Sequence, residues 1–214
     1  MSFLSRWLPL LGFRDSDTYW RKRYRLGGNS GEGSYGEPAQ HKAAVLNPFV
    51  REHGIQSVIE FGCGDGNQLT LADYPAYLGV DISPDAIALC RSRFRDDPSK
   101  TFMTLDDYRG ESAGLAMSLD VLFHLVEDEV YDAYLERLFA AGERFVVIYS
   151  TSSDQLKATL GHVRHRPVEA DVSARFPAFQ RMLAAERSLP APVKFGQGLP
   201  TRFFFYERSG ALGS

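Results

Sequence analysis

An α/β fold built on a mostly parallel sheet is what this sequence predicts, on three observations. Short apolar runs recur at residues 57–61, 77–81, 101–105, 114–119 and 144–149. Helix-like segments lie between them, and the runs are continuously apolar, as strands covered on both faces are. A further strand falls within residues 178–188, and a clear last one, Phe203-Phe204-Phe205-Tyr206, within 199–208. No internal repeat or second domain interrupts the pattern. Residues 1–56 read as an N-terminal arm, a loop and a helix, 57–208 as the core, and 209–214 as a disordered tail.

The helices follow in order. Residues 15–25 are polar and aromatic and predict a short helix. Five of the ten residues 27–36 are glycine, which excludes a regular element and leaves a loop with wide backbone freedom. Residues 40–53 carry an apolar face of Ala43, Ala44, Leu46, Phe49 and Val50, with Pro48 as a bend. Residues 84–94 predict a helix with Ser83 as N-cap and Pro84 in the first turn. Residues 127–140 are amphipathic through Val130, Tyr134, Leu138 and Phe139, and 167–176 predict one more helix.

Composition narrows the class. A chain of 214 residues with 44% hydrophobic and 24% charged residues suits one globular domain with a sizeable core. A formal net charge of -3 argues against a dedicated nucleic-acid binder. Cys63 and Cys90 do not make a disulfide framework, so a reduced cytoplasmic setting is the simpler expectation. No apolar run approaches the roughly 20 residues that cross a bilayer. Residues 1–14 combine Phe3, Leu4, Trp7, Leu8, Leu10, Leu11 and Phe13 with Arg6 and Arg14, and Pro9 breaks them. They read either as an arm folded on the domain or on a second subunit, or as a peripheral membrane anchor. The oligomeric state is left open.

Three features converge after the first strand. Gly62, Gly64 and Gly66 allow a tight turn and close approach of a ligand to backbone. Asp81 ends the next strand, seventeen positions after Gly64, where a carboxylate can accept both hydroxyls of a ribose or cap a helix. The spacing Gly-Cys-Gly-Asp-Gly after Glu60 departs from the pyrophosphate-binding Gly-x-Gly-x-x-Gly.

With those residues in place, the run from Val58 to Asn67 resembles the S-adenosylmethionine (SAM) signature of class I SAM-dependent methyltransferases. Leu78-Gly79-Val80-Asp81-Ile82-Ser83 resembles their second signature, and Met117 to Leu125 their fourth-strand signature. The resemblance implies a Rossmann-like seven-stranded sheet, five strands parallel and the terminal pair antiparallel. It implies SAM as cofactor and S-adenosylhomocysteine (SAH) as product. Glu60, Gly62, Cys63, Gly64 and Asn67 would frame the methionine portion, and Asp81 would hold the ribose. Ile82 would pack on adenine, Asp106 or Asp107 would lie near its amino group, and Asp120 and Val121 would line the methionine side. A narrower resemblance joins Tyr19-Trp20-Arg21-Lys22-Arg23-Tyr24 and Gly27-Gly28-Asn29-Ser30-Gly31 to a bacterial methyltransferase group associated with surface-polysaccharide and glycan gene sets. It implies that Tyr19, Trp20 and Arg23 cover the cofactor, Arg23 through the methionine carboxylate. The alternative is that Trp20 and Tyr24 are core aromatics.

Methyl transfer from a sulfonium is an in-line displacement that needs positioning and exclusion of water. The loop 27–36 would close for that purpose, with Tyr35 near the substrate, or would be a static connection. His124 is the first candidate general base for a sugar or glycan hydroxyl, against a structural role. The cluster His162-Val163-Arg164-His165-Arg166, placed after the fifth strand and its helix, offers His162 and His165 as bases. Its Arg164 and Arg166 would bind an anionic substrate group, unless the cluster is a solvated patch. No metal site is expected. The alternatives to an O-methyltransferase are a small-molecule or peptide N-methyltransferase and a non-catalytic SAM-binding partner protein.

Overall fold

The computed structural model describes residues 13–152, 158–187 and 200–210. The apolar arm therefore falls almost wholly outside the described residues, as do residues 211–214 of the tail. Helix α1 (Ser16–Arg25) is capped by Asp15, whose Oδ1 accepts from Thr18 N at 2.7 Å. A 3-10 turn at Glu32–Ser34 leads into α2 (Gly36–Glu52). The strands and helices that follow are β1 (Ser57–Phe61), β2 (Ala76–Asp81), α3 (Pro84–Arg93), β3 (Lys100–Thr104), β4 (Ala113–Leu119), α4 (Asp128–Ala141) and β5 (Gly142–Ser150). The carboxyl-terminal part holds β6 (Ala158–Leu160), β7 (Val163–Arg164), α5 (Val168–Arg175), β8 (Phe179–Arg181), α6 (Leu183–Arg187) and β9 (Arg202–Arg208).

One sheet runs in the order β3-β2-β1-β4-β5-β9-β8. The first five strands are parallel, β9 pairs antiparallel with β5, and β8 pairs antiparallel with β9. This is the seven-stranded Rossmann-like order, five strands parallel and the terminal pair antiparallel, that the resemblance implies. Strand alternation divides its core in two. Val58, Tyr77, Met117, Phe145, Val147 and Phe205 face α2 and α3, while Ile59, Phe61, Ala116, Val146, Ile148 and Phe204 face α4 and α5. No described helix is long and apolar enough to cross a membrane.

Two of the crossovers carry no α-helix. Only a 3-10 turn, Gln68–Leu71, follows β1, and residues 105–112 join β3 to β4 with no helix. The glycine-rich loop is shorter than its composition predicts. Gly36 opens α2, because Pro38 is compatible with a first turn, where its missing N–H has no intrahelical partner to lose. After β5 the described chain forms a β6–β7 hairpin rather than the helix expected before His162.

A bridge ties the end of β1 to α4 beneath the coming site. The buried Tyr134 hydroxyl lies 2.8 Å from the Phe61 carbonyl, to which it donates, and 2.8 Å from Ser118 Oγ. Tyr134→Phe leaves that carbonyl without this partner. Urea denaturation is expected to show a loss of about 1–2 kcal/mol, the cost of an unmade buried hydrogen bond.

Candidate functional site

The parallel strands end together, and the loops leaving them line a pocket with about 870 Å³ of empty space, part of it open to solvent. Its floor is made of Phe61, Gly62, Gly64, Val80, Leu119 and Val121, and α1 forms part of its roof through Ser16, Asp17, Trp20 and Tyr24.

The turn after β1 is held by β2. Gly62 N donates to Val80 O at 2.7 Å, and Gly64 N donates to Asp81 Oδ2 at 2.9 Å. Gly64 has φ 59°, and a Cβ there would stand 2.2 Å from Ser30 Oγ. Only glycine both turns here and lets the N-terminal loop close on it. The second Asp81 oxygen accepts from Ser83 N at 2.9 Å. Burial pushes the Asp81 carboxyl up to about 6, against these two N–H bonds that favour its charge. Each oxygen has a lone pair left for a ligand hydroxyl, and Asp81 lines the cavity beside Ile82 and Leu105.

Asp65 joins the glycine turn to the loop before α2. Its Oδ2 accepts from Tyr35 Oη at 2.6 Å and from Ser30 N at 3.2 Å, and Asp65 N donates to Ser30 Oγ at 3.0 Å. Burial raises the Asp65 carboxyl, but the bonds from Tyr35, Asn67 and Ser30 outweigh it and hold it below its ordinary value. Asn67 Nδ2 donates to Ser34 O at 2.7 Å. Tyr35 and Asn67 therefore fasten the loop, and neither lines the cavity.

His124 follows β4 in a 3-10 turn and lines the cavity. Its Nδ1 lies 3.2 Å from the His162 carbonyl oxygen, which can only accept. The ring proton is thus on Nδ1, and Nε2 keeps the free lone pair. Burial, opposed by that hydrogen bond, pushes the imidazole down to about 4. Trp20 packs edge-on against His124 with centroids 4.9 Å apart, and Tyr19 stacks on His162 at 4.9 Å. Of the α1 aromatics, Trp20 and Tyr24 line the cavity, while Tyr19 packs on the hairpin.

Several of the expected site residues lie away from the cavity or are engaged elsewhere. The half-buried His162 stays outside the cavity lining, and His165 is buried with its Nδ1 2.8 Å from Thr151 Oγ1. Arg166 is buried, pairs with Asp128 and donates to the carbonyls of Leu125 and Val126. Arg164 donates to Val126 O at 2.9 Å and pairs with Asp128 at 3.0 Å. Both arginines clamp the turn that carries His124, because the hairpin folds them back onto α4. Arg23 donates to Asn29 O at 2.6 Å and lies over the Trp20 ring, so it orders the loop. Asp106 pairs with Arg21, and Asp107 accepts from Thr104; neither lines the cavity, whereas Asp17 does. Cys63 is buried beside Cys90 under the turn. Glu60 points to the α2 face of the sheet, where it accepts from Tyr77 Oη at 2.6 Å. Lys42 escaped the sequence reading: it is fully buried and pairs with Asp120. A lone lysine inside an apolar helix face was its one signal. Among the described residues no cluster of three metal-ligating side chains occurs.

Residues 59–147 match the family model described as a methyltransferase domain. No curated protein sequence matches the chain. Among solved structures, the N-methyltransferase NodS of Bradyrhizobium japonicum with SAH is 15% identical, with a TM-score of 0.64 over 92% of this chain and 100% of that one. The magnesium protoporphyrin IX methyltransferase of Synechocystis with bound SAM is 17% identical, with a TM-score of 0.59 over 97% and 92%. A didemethyltoxoflavin N1-methyltransferase of Burkholderia thailandensis is 16% identical, with a TM-score of 0.61 over 97% and 91%. At these identities the likeness is one of fold.

Glu60 is expected to make the stability depend on pH. Burial, against the Tyr77 bond and the Lys42 charge, lifts its carboxyl from the ordinary 4.5 to about 7. A raised carboxyl favours the folded state below the unfolded value, and that contribution is lost as pH rises through about 7. Glu60→Gln is therefore expected to stabilise the protein at pH 8 by roughly 2–3 kcal/mol, with the gain vanishing below about pH 4.5. Denaturant titrations across pH measure it.

Proposed function

We propose that this chain is a SAM-dependent methyltransferase that binds SAM in the cavity beneath α1 and methylates a small-molecule acceptor. Asp81 is the observation that carries the reading: a buried carboxylate aimed into the cavity, anchored on the glycine turn at 2.9 Å. The residues fit the cofactor. Asp81 accepts ribose hydroxyls, Ile82 and Leu105 offer apolar walls for adenine, and the glycine turn gives backbone room for the methionine portion. SAM supplies an electrophilic methyl group on a sulfonium. The protein's part is to align the acceptor and exclude water, which the α1 roof and the Asp65-anchored loop perform.

The acceptor we favour is a sugar or glycan hydroxyl, on the likeness of residues 19–24 and 27–31 to the glycan-associated group. Nε2 of His124, unprotonated and at the cavity wall, would take the hydroxyl proton. A nitrogen acceptor is the second reading. The low basicity of His124 favours it, because a neutral amine needs no base before attack. The enzyme fits a reduced, cytoplasmic setting, since both cysteines are free and buried.

Calorimetry tests the cofactor. SAM and SAH are expected to bind and NAD is not, and Asp81→Ala is expected to weaken SAM about 100-fold or more, the loss of charge-assisted hydrogen bonds. NAD binding in place of SAM overturns the reading. Labelled SAM offered to sugar nucleotides, glycans and amines separates the two acceptors. If His124 is the base, kcat/KM shows no acid limb near the ordinary histidine value, since the group protonates only near pH 4. His124→Ala with full turnover removes its role.

A further inference from the structure

We infer that Lys42 is a positioning residue for the cofactor's amino-acid end: it fixes the Asp120 carboxylate so that one oxygen stays open to the SAM ammonium. The inference rests on the SAM reading above. Lys42 stands on α2 with 0% exposure, and its Nζ lies 2.5 Å from Asp120 Oδ2. Burying an ammonium is costly unless it is paired. Here the carboxylate pairs it, and the Tyr149 ring lies beside it, 5.4 Å from Nζ to the centroid.

Asp120 is itself unusual. Among the described residues it is the one non-glycine residue with positive φ, at 60°. Such backbone persists where its surroundings over-determine it, and it gathers at ligand sites. Three contacts impose it. Asp120 N donates to Tyr149 O at 2.9 Å, Lys42 takes Oδ2, and Gly33 comes so close that a Cβ there would stand 2.8 Å from Oδ2. The side chain retains 17% exposure and lines the cavity. Its Oδ1 has no hydrogen-bond partner among the described residues. A fixed carboxylate oxygen in a cavity with largely aromatic and aliphatic walls suits a cationic N–H donor. In the proposed ligand that donor is the ammonium of the methionine portion. Lys42 does not line the cavity, so it acts through Asp120.

Adenosine lacks the amino-acid portion and separates positioning from general structural support. Lys42→Met is expected to weaken SAM about 10- to 100-fold, the worth of a charge-assisted hydrogen bond, and to leave adenosine affinity unchanged. Gly33→Ala, which crowds Oδ2 without touching Lys42, is expected to show the same selectivity at smaller size. Calorimetry with both ligands reads the result. Equal losses for SAM and adenosine, or no loss for SAM, overturn the inference while leaving the SAM reading intact. A wild-type protein that binds neither SAM nor SAH overturns both. If Lys42→Met does not fold, Gly33→Ala decides alone.

Discussion

The bond from Gly64 N to Asp81 is the contact on which the carboxyl edge of the sheet depends. It couples the turn after β1 to the end of β2, so two parallel neighbours present one rigid surface. The same bond holds a buried carboxylate that water no longer solvates. Desolvation pushes Asp81 up while the N–H groups of Gly64 and Ser83 favour its charge. A carboxylate balanced in this way gains most from a ligand that brings further donors.

A second layer is organised around the turn at residues 124–128. Ser16 at the start of α1 donates from its backbone N to Glu127 Oε1 at 3.0 Å, and Val126 N donates to Ser16 Oγ at 3.1 Å. Arg164 and Arg166 reach the same turn from the hairpin side. The roof helix, the hairpin and His124 are thus joined through one short segment. The aromatic contacts of Trp20 with His124 and Tyr19 with His162 follow the same line.

The parts legible from sequence are those encoded by local pattern. Continuous apolar strands, the Ser83 cap and the Gly62–Gly66 spacing each need only a few neighbouring residues, and each is found where the pattern places it. The crossovers were less legible. A segment such as 105–112 is too short to show a helical period, and its lack of a helix is decided by what the sheet leaves to cover. Arg164 and Arg166 looked like anion ligands because sequence shows their charge and not the Asp128 that meets it.

By itself, then, the sequence determined the alternation of elements, the glycine turn and the acidic end of β2, because backbone preference and hydrophobic period act over a few residues. Tertiary structure decided which charged groups are free and which are engaged. Lys42 and Asp120 are 78 positions apart, Ser30 and Asp65 are 35 apart, and Arg166 and Leu125 are 41 apart. Electrostatic pairing depends on distance in space, and only the folded chain sets that distance.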